Sequence, residues 1–210
     1  MERPYYILFA GVNGAGKSTL YRTGGWQHNG VTDRYPRVNT DEILAAQGLN
    51  WADPKAQFQA GREAVKLIKQ YLSKRESLNQ ETTLTGKSIV RHIEEAHEAG
   101  FYIVMFYVSV EDVSIAQERI AHRESIGGHG ISSDVVKRRY KASIENLVRV
   151  LDICNEAYLY DNTGLLDMMA RFELGELAYC SVDKPGITWH HDVIQRLEYE
   201  LVAFGGLPSG

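Results

Sequence analysis

The chain has 210 residues, a formal net charge of −4, 44% hydrophobic residues and 24% charged residues. That length and balance predict one globular domain, with enough apolar residues to cover both faces of a sheet. An acidic chain with no long Lys/Arg run argues against a long nucleic acid or a membrane surface as its partner.

The first element is the apolar run Tyr5-Tyr6-Ile7-Leu8-Phe9-Ala10, which reads as a buried parallel strand. It leads into Gly11-Val12-Asn13-Gly14-Ala15-Gly16-Lys17-Ser18, a match to G-x-x-x-x-G-K-[ST] at every fixed position. Thr19-Leu20-Tyr21 continues without a breaker, as an opening helix does. A strand–loop–helix setting is where a phosphate-binding loop works. Glycines let successive N–H groups face one concavity, and the helix start adds its dipole and orphan donors. Gly11, Asn13, Gly14, Ala15, Gly16, Lys17, Ser18 and Thr19 are therefore the candidate nucleotide contacts. Lys17 is expected to reach the terminal phosphates, and the Ser18 hydroxyl to hold Mg²⁺.

Gly24-Gly25 and Asn29-Gly30 mark a loop leading to a short second strand at 37–39. Asp53-Pro54 opens a helix whose Ala64, Leu67, Ile68, Tyr71 and Leu72 share one face. A third strand over 77–81 and a helix over 88–99, stopped by Gly100, follow. Residues 101–108 are almost entirely apolar and read as a central strand buried on both faces. Helices over 111–123 and 133–151 flank Gly127-Gly128-His129-Gly130. The second of them carries Val136, Tyr140, Ile144, Leu147 and Leu151 as its buried stripe. A fifth strand over 157–160 ends at Asp161-Asn162, 168–180 reads as a hairpin turning near Gly175, and a last helix covers 189–202.

Alternating strands and helices after a phosphate-binding loop predict an α/β, P-loop NTPase three-layer fold, with a mostly parallel five-stranded sheet plus a C-terminal β-hairpin and helix; the kinase-like variant of it is what the resemblance given below implies. The expected domain is 1–205, with a core over 4–165, an appendage over 166–205 and a frayed tail at 206–210. No apolar run nears membrane-spanning length, and Met1-Glu2-Arg3-Pro4 does not read as a signal peptide. Cys154 and Cys180 stand far apart and outside any C-x-x-C pattern. Their placement argues against zinc or disulfide frameworks and suits a reducing, cytoplasmic setting.

In parallel α/β sheets ligands sit beyond the carboxyl ends of the strands. That rule selects Asp41-Glu42, Glu81-Thr82-Thr83 and Asp161-Asn162-Thr163. Asp41 reads either as the base that takes the proton of an attacking hydroxyl or as the N-cap of a helix starting at Glu42. Glu81 reads as a contact to acceptor hydroxyls, as part of the Mg²⁺ shell or as a loop cap. Thr83 and Lys87 are further acceptor contacts, and Asn162 a nucleotide contact. Arg119 and Arg123, four apart on one helix face, either neutralise charge over a triphosphate or form a solvated basic face. His129 reads as a phosphate contact or a turn residue. Arg138 and Arg139 divide between a site role, assigned to Arg138, and a structural one. His190-His191 lacks metal-ligand spacing, and Trp26, Trp51 and Trp189 read as core or loop anchors.

Taken in order, these motifs resemble the zeta toxin family of P-loop kinases, in particular its short single-domain branch. The resemblance runs through the phosphate loop, Val38-Asn39-Thr40-Asp41-Glu42-Ile43, Glu81-Thr82-Thr83-Leu84, Gly127-Gly128-His129-Gly130-Ile131, Arg138-Arg139-Tyr140 and Tyr160-Asp161-Asn162-Thr163. It implies ATP- and Mg²⁺-dependent phosphorylation of a small molecule. Asp41 would be the base, Lys17 the phosphate-binding lysine, Glu81 an acceptor contact and Arg119 or Arg123 the transition-state arginine. In larger members the acceptor is a sugar hydroxyl of UDP-N-acetylglucosamine, and a separate antitoxin is the partner. Two departures stand out: Gly128-His129-Gly130 occupies the place of a second lid arginine, and the chain after Leu165 lies outside the resemblance. Kinases of another sugar, a nucleoside or a polynucleotide end are the competing enzymes. A non-catalytic, ATP-gated interaction protein is the competing class.

Overall fold

The computed structural model describes residues 3–128, 130–181 and 184–203. The frayed tail expected at 206–210 lies outside them. In chain order the elements are β1 (Tyr5–Ala10), α1 (Lys17–Thr23), β2 (Arg37–Val38), α2 (Thr40–Ala46), α3 (Pro54–Lys74), β3 (Leu78–Thr82), α4 (Lys87–Glu98) and β4 (Tyr102–Ser109). After these come α5 (Val113–Ser125), α6 (Ser133–Leu151), β5 (Glu156–Asp161), β6 (Asp167–Glu173), β7 (Glu176–Cys180) and α7 (Trp189–Ala203).

The strands form a single sheet in the order β2-β3-β1-β4-β5-β6-β7. The first five are parallel, with β1 between β3 and β4. Strand alternation builds two apolar layers. Tyr6, Leu8 and Ala10 of β1, with Ile103, Met105 and Tyr107 of β4, face the packing residues of α3, α4, α6 and α7. Ile7 and Phe9, with Val104, Phe106 and Val108, face Leu20 of α1, Trp26, Ala116 and Ile120 of α5 and Val136 of α6. Every β1 residue after Tyr5 is buried, which explains the unbroken apolar run.

Two sequence expectations change. The hairpin is not an appendage: β6 pairs antiparallel with β5, and β7 with β6, so the sheet has seven strands instead of five. Without β6 the outer edge of β5 would present unpaired backbone groups. Met169, Ala170 and Phe172 of β6 are buried, so the extension also adds apolar contact. The second change concerns α2, which begins at Thr40 with Asn39 as its N-cap. The Asn39 side chain accepts from the Asp41 N–H at 2.9 Å, so Asp41 is not the cap and lies in the first turn.

The chain leaves β1 towards the β2 edge of the sheet and leaves β4 towards the β5 edge. A crevice therefore opens at the carboxyl ends of these strands.

Candidate active site

The loop between β1 and α1 is held by its backbone. Gly11 has φ +128°, and a Cβ there would lie 2.0 Å from the Val108 carbonyl oxygen of β4. Gly16 has φ +106°, and a Cβ there would lie 2.3 Å from Nδ2 of Asn162. Side chains are excluded at both places by conformation and by space. Asn162 fastens the same loop, donating from Nδ2 to the Ala15 carbonyl at 2.8 Å. The loop is thus clamped between the ends of β4 and β5.

Lys17 is 7% exposed, and its Nζ donates to the Val12 carbonyl at 3.1 Å. Burial pushes its ammonium below the ordinary lysine range. The carboxylates of Glu81 and Asp41 oppose that shift, whereas Arg123 and Arg139 reinforce it. Three cations and two carboxylates thus act on one another around this loop. A polyphosphate would answer the positive charge that a desolvated ammonium adds at a helix start.

Glu81, at the carboxyl end of β3, is held by three side chains. It accepts from Ser18 Oγ at 3.1 and 3.2 Å, from Arg37 Nη2 at 2.5 Å and from Asn39 Nδ2 at 3.2 Å. Arg37 also donates to Glu42 at 2.8 Å and lies 3.6 Å over the Tyr21 ring centroid. Sequence reading passed over Arg37, because an arginine in a two-residue strand carries no local signal of what it will face.

A cleft of about 540 Å³ opens beside the loop, lined by Asn13, Lys17, Asp41, Glu81, Thr83, Arg123 and Arg139, with Leu44, Trp51 and Ile131 adding apolar surface. Such a volume suits a small-molecule site. Asp41, Glu81 and Thr83 therefore meet Lys17 in one cavity, as expected from their strand-end positions. Other expected residues lie elsewhere. Arg138 is exposed and absent from the cleft lining, whereas its neighbour Arg139 lines it and donates to Asn13 Oδ1 at 2.8 Å. One residue along a helix is about 100° of rotation, and the packing of α6 through Val136 and Leu147 turns Arg139 inward. Arg119 turns from the cleft to donate to the carbonyls of Asn162 and Thr163 at 2.7 and 3.2 Å. Arg123, one turn further along α5, lines the cleft. Lys87 is exposed at the start of α4, and Thr19 is exposed on α1. Neither lines the cleft, nor do Gly11, Gly14, Ala15, Gly16, Ser18 and Asn162 of the expected nucleotide contacts. Trp51, read as a core or loop anchor, also lines the cleft, while Trp26 is core. His129 lies outside the described residues.

The oxygen donors fit a hard divalent cation. Ser18 Oγ and both oxygens of Glu81 lie together at the foot of the phosphate loop, a donor set suited to Mg²⁺. Behind them Asp161, 1% exposed, accepts from Thr163 N–H at 2.8 Å and from Trp189 Nε1 at 2.9 Å. That buried carboxylate fixes the turn that carries Asn162.

Comparison with known proteins bears on the fold. An uncharacterized protein of Haemophilus influenzae is 34% identical over 135 residues, which are 64% of this chain and 91% of that one. No protein-family model matches. A crystal structure of AvrRxo1-ORF1:-ORF2 with ATP superposes with a TM-score of 0.64 at 16% identity, covering 91% of this chain and 63% of that one. The chain thus spans under two thirds of that neighbour. A protein of the PezAT chromosomal toxin-antitoxin system of Streptococcus pneumoniae superposes at 0.59 with 15% identity, covering 96% and 88%. The chain shares the fold of these structures, an α/β sheet opening on a phosphate-binding loop, in agreement with the zeta-toxin resemblance of the motifs. Among the described residues no helix is long and apolar enough to cross a membrane.

Proposed function

This chain belongs to the same family as the uncharacterized Haemophilus influenzae protein, and we propose that it transfers the terminal phosphoryl group of ATP to a hydroxyl of a small molecule. The observation that carries the proposal is the meeting of Lys17, Asp41 and Glu81 in one cleft beside a loop that excludes side chains.

The loop N–H groups and Lys17 hold the β- and γ-phosphates. Ser18 and Glu81 would hold Mg²⁺, which would supply charge neutralisation on the phosphate oxygens. Arg37 and Asn39 orient the Glu81 carboxylate for that task. Asp41, in the first turn of α2, accepts the proton of the acceptor hydroxyl. The acceptor oxygen then forms its bond to the γ-phosphorus, the bond from that phosphorus to the β,γ-bridging oxygen breaks, and ADP leaves. Arg123 and Arg139 face the cleft and neutralise charge developing on the transferred group. Of the two arginines on α5, Arg123 thus takes the transition-state role, and Arg119 shapes the Asn162 turn.

The acceptor to test first is UDP-N-acetylglucosamine, which follows from the zeta-toxin resemblance and suits a cleft lined by arginines. The neighbour's membership of a toxin-antitoxin system makes a protein antitoxin the partner to seek, in a cytoplasmic setting that supplies ATP. The experiment is incubation with Mg-ATP and this sugar nucleotide, then with a metabolite extract, and a search by mass spectrometry for a species gaining one phosphoryl group. The expected result is such a product, and its loss in Asp41→Asn with ATP binding retained. Hydrolysis indifferent to every acceptor would sink the transferase reading and favour the ATP-gated interaction protein.

A further inference from the structure

A second constellation lies where β7 ends and α7 begins. Sγ of Cys180 and one ring nitrogen each from His190 and His191 lie within 4.8 Å of one another. Consecutive residues on a helix point about 100° apart, yet the two imidazoles converge to 4.0 Å between centroids. His190 is 1% exposed, and its Nε2 lies 3.3 Å from the Ser181 carbonyl oxygen. That carbonyl accepts and therefore places the ring proton on Nε2. Nδ1 is left as a bare lone pair, buried and with no hydrogen-bond partner. A buried imidazole nitrogen without a donor needs an explanation, and a cation supplies one. A carbonyl behind the imidazole is also the outer-shell arrangement that orients metal-binding histidines.

The two arms are held in place by other contacts. The Ser181 N–H donates to the Met169 carbonyl at 2.7 Å, and Lys184 pairs with Asp167, which ties the exit of β7 to β6. On the other arm, the Glu111 carboxylate accepts from the N–H groups of Thr188 and Trp189 at 2.7 and 3.1 Å, and Trp189 is anchored on Asp161. The cluster is thus set by the fold around it.

We propose that Cys180, His190 and His191 bind a zinc ion, with the fourth tetrahedral position left to water. One thiolate and two imidazoles are a nitrogen–sulfur set that suits zinc over the hard cations of a phosphate site. The sequence argued against such a site because its cysteines stand outside any C-x-x-C pattern and His190-His191 lacks metal-ligand spacing; the cysteine and the histidine pair meet only where β7 and α7 come together in the fold.

The test uses the full chain purified without chelator. Elemental analysis after dialysis is expected to find about one zinc per chain, and cobalt substitution to give a tetrahedral spectrum with a thiolate-to-cobalt charge-transfer band. Cys180→Ser is expected to lose that band and to weaken zinc binding by more than the roughly 10–100-fold typical of outer-shell changes. Cys154→Ser, at a buried thiol elsewhere, is expected to keep both. Absence of zinc together with a cobalt spectrum lacking the thiolate band in the unaltered chain overturns the site, as does undiminished zinc affinity in a folded Cys180→Ser protein. Should that variant not fold, the cobalt spectrum of the unaltered chain decides alone. These readouts involve no phosphoryl transfer, so their failure leaves the kinase reading untouched.

Discussion

Replacing Arg37 with Met tests the electrostatics that hold the site together. The guanidinium has 11% of its side chain exposed, the carboxylate of Glu81 has 13%, and their contact is 2.5 Å. Breaking a fully buried pair by removing one partner costs about 3–5 kcal/mol, because the remaining charge stays desolvated. Residual exposure lowers that figure, and Ser18 and Asn39 still donate to Glu81, so about 2–3 kcal/mol is reasonable here. Loss of the contact over Tyr21 adds about 0.5–2 kcal/mol. Glu42 is 56% exposed, and its pairing adds at most about 1 kcal/mol. The expected total is about 3–5 kcal/mol, a large share of a stability on the order of 5–15 kcal/mol. Urea unfolding monitored by tryptophan fluorescence measures it. A cycle with Glu81→Gln isolates the pair, and the double variant is expected to recover roughly 2 kcal/mol relative to additivity. A cost under about 1 kcal/mol, or strict additivity, would refute the assignment of Arg37 as the group that holds Glu81.

Two further expectations rest on charge and pH. Lys17→Met removes an ammonium that burial already disfavours, so the unliganded variant is expected to melt at or above the temperature of the parent. Saturating Mg-ATP, which at about 100 times its Kd stabilises the parent by about 2.7 kcal/mol, or roughly 5–11 °C for a chain of this size, should no longer raise it. An undiminished shift in differential scanning fluorimetry would count against the phosphate role of Lys17. Glu156 concerns acid stability. Burial pushes its carboxyl up, but hydrogen bonds from Tyr158, Tyr102 and His28 outweigh it and hold the group below its ordinary value of 4.5. The unfolded chain therefore binds the proton first, so the stabilisation is present above 4.5 and is lost as pH falls through the depressed value. Glu156→Gln should be destabilised near neutrality and show a shallower acid limb. Parallel urea midpoints against pH for the two proteins would contradict this.

What the sequence determined by itself were features encoded locally. The phosphate loop between β1 and α1, the apolar β4, the helices punctuated by Pro54 and Gly100 and the hairpin about Gly175 all follow from residue order and period. The meeting of Asp41 and Glu81 was legible too, because parallel strands send their carboxyl ends to one edge. Rotation about a helix axis was not legible. Arg139 enters the cleft and Arg138 does not, and Arg123 does so while Arg119 turns to backbone carbonyls, because packing of α5 and α6 on the sheet sets which face looks inward. Asn39 was hidden as a cap behind the more obvious carboxylate at residue 41. Tertiary structure alone decided that the hairpin extends the sheet, since an edge becomes available only once β5 is placed. It alone brought Arg37 to Glu81 across 44 residues and Cys180 to His190 and His191. Such contacts arise when separate elements condense on a common core, and no periodicity within one segment records them.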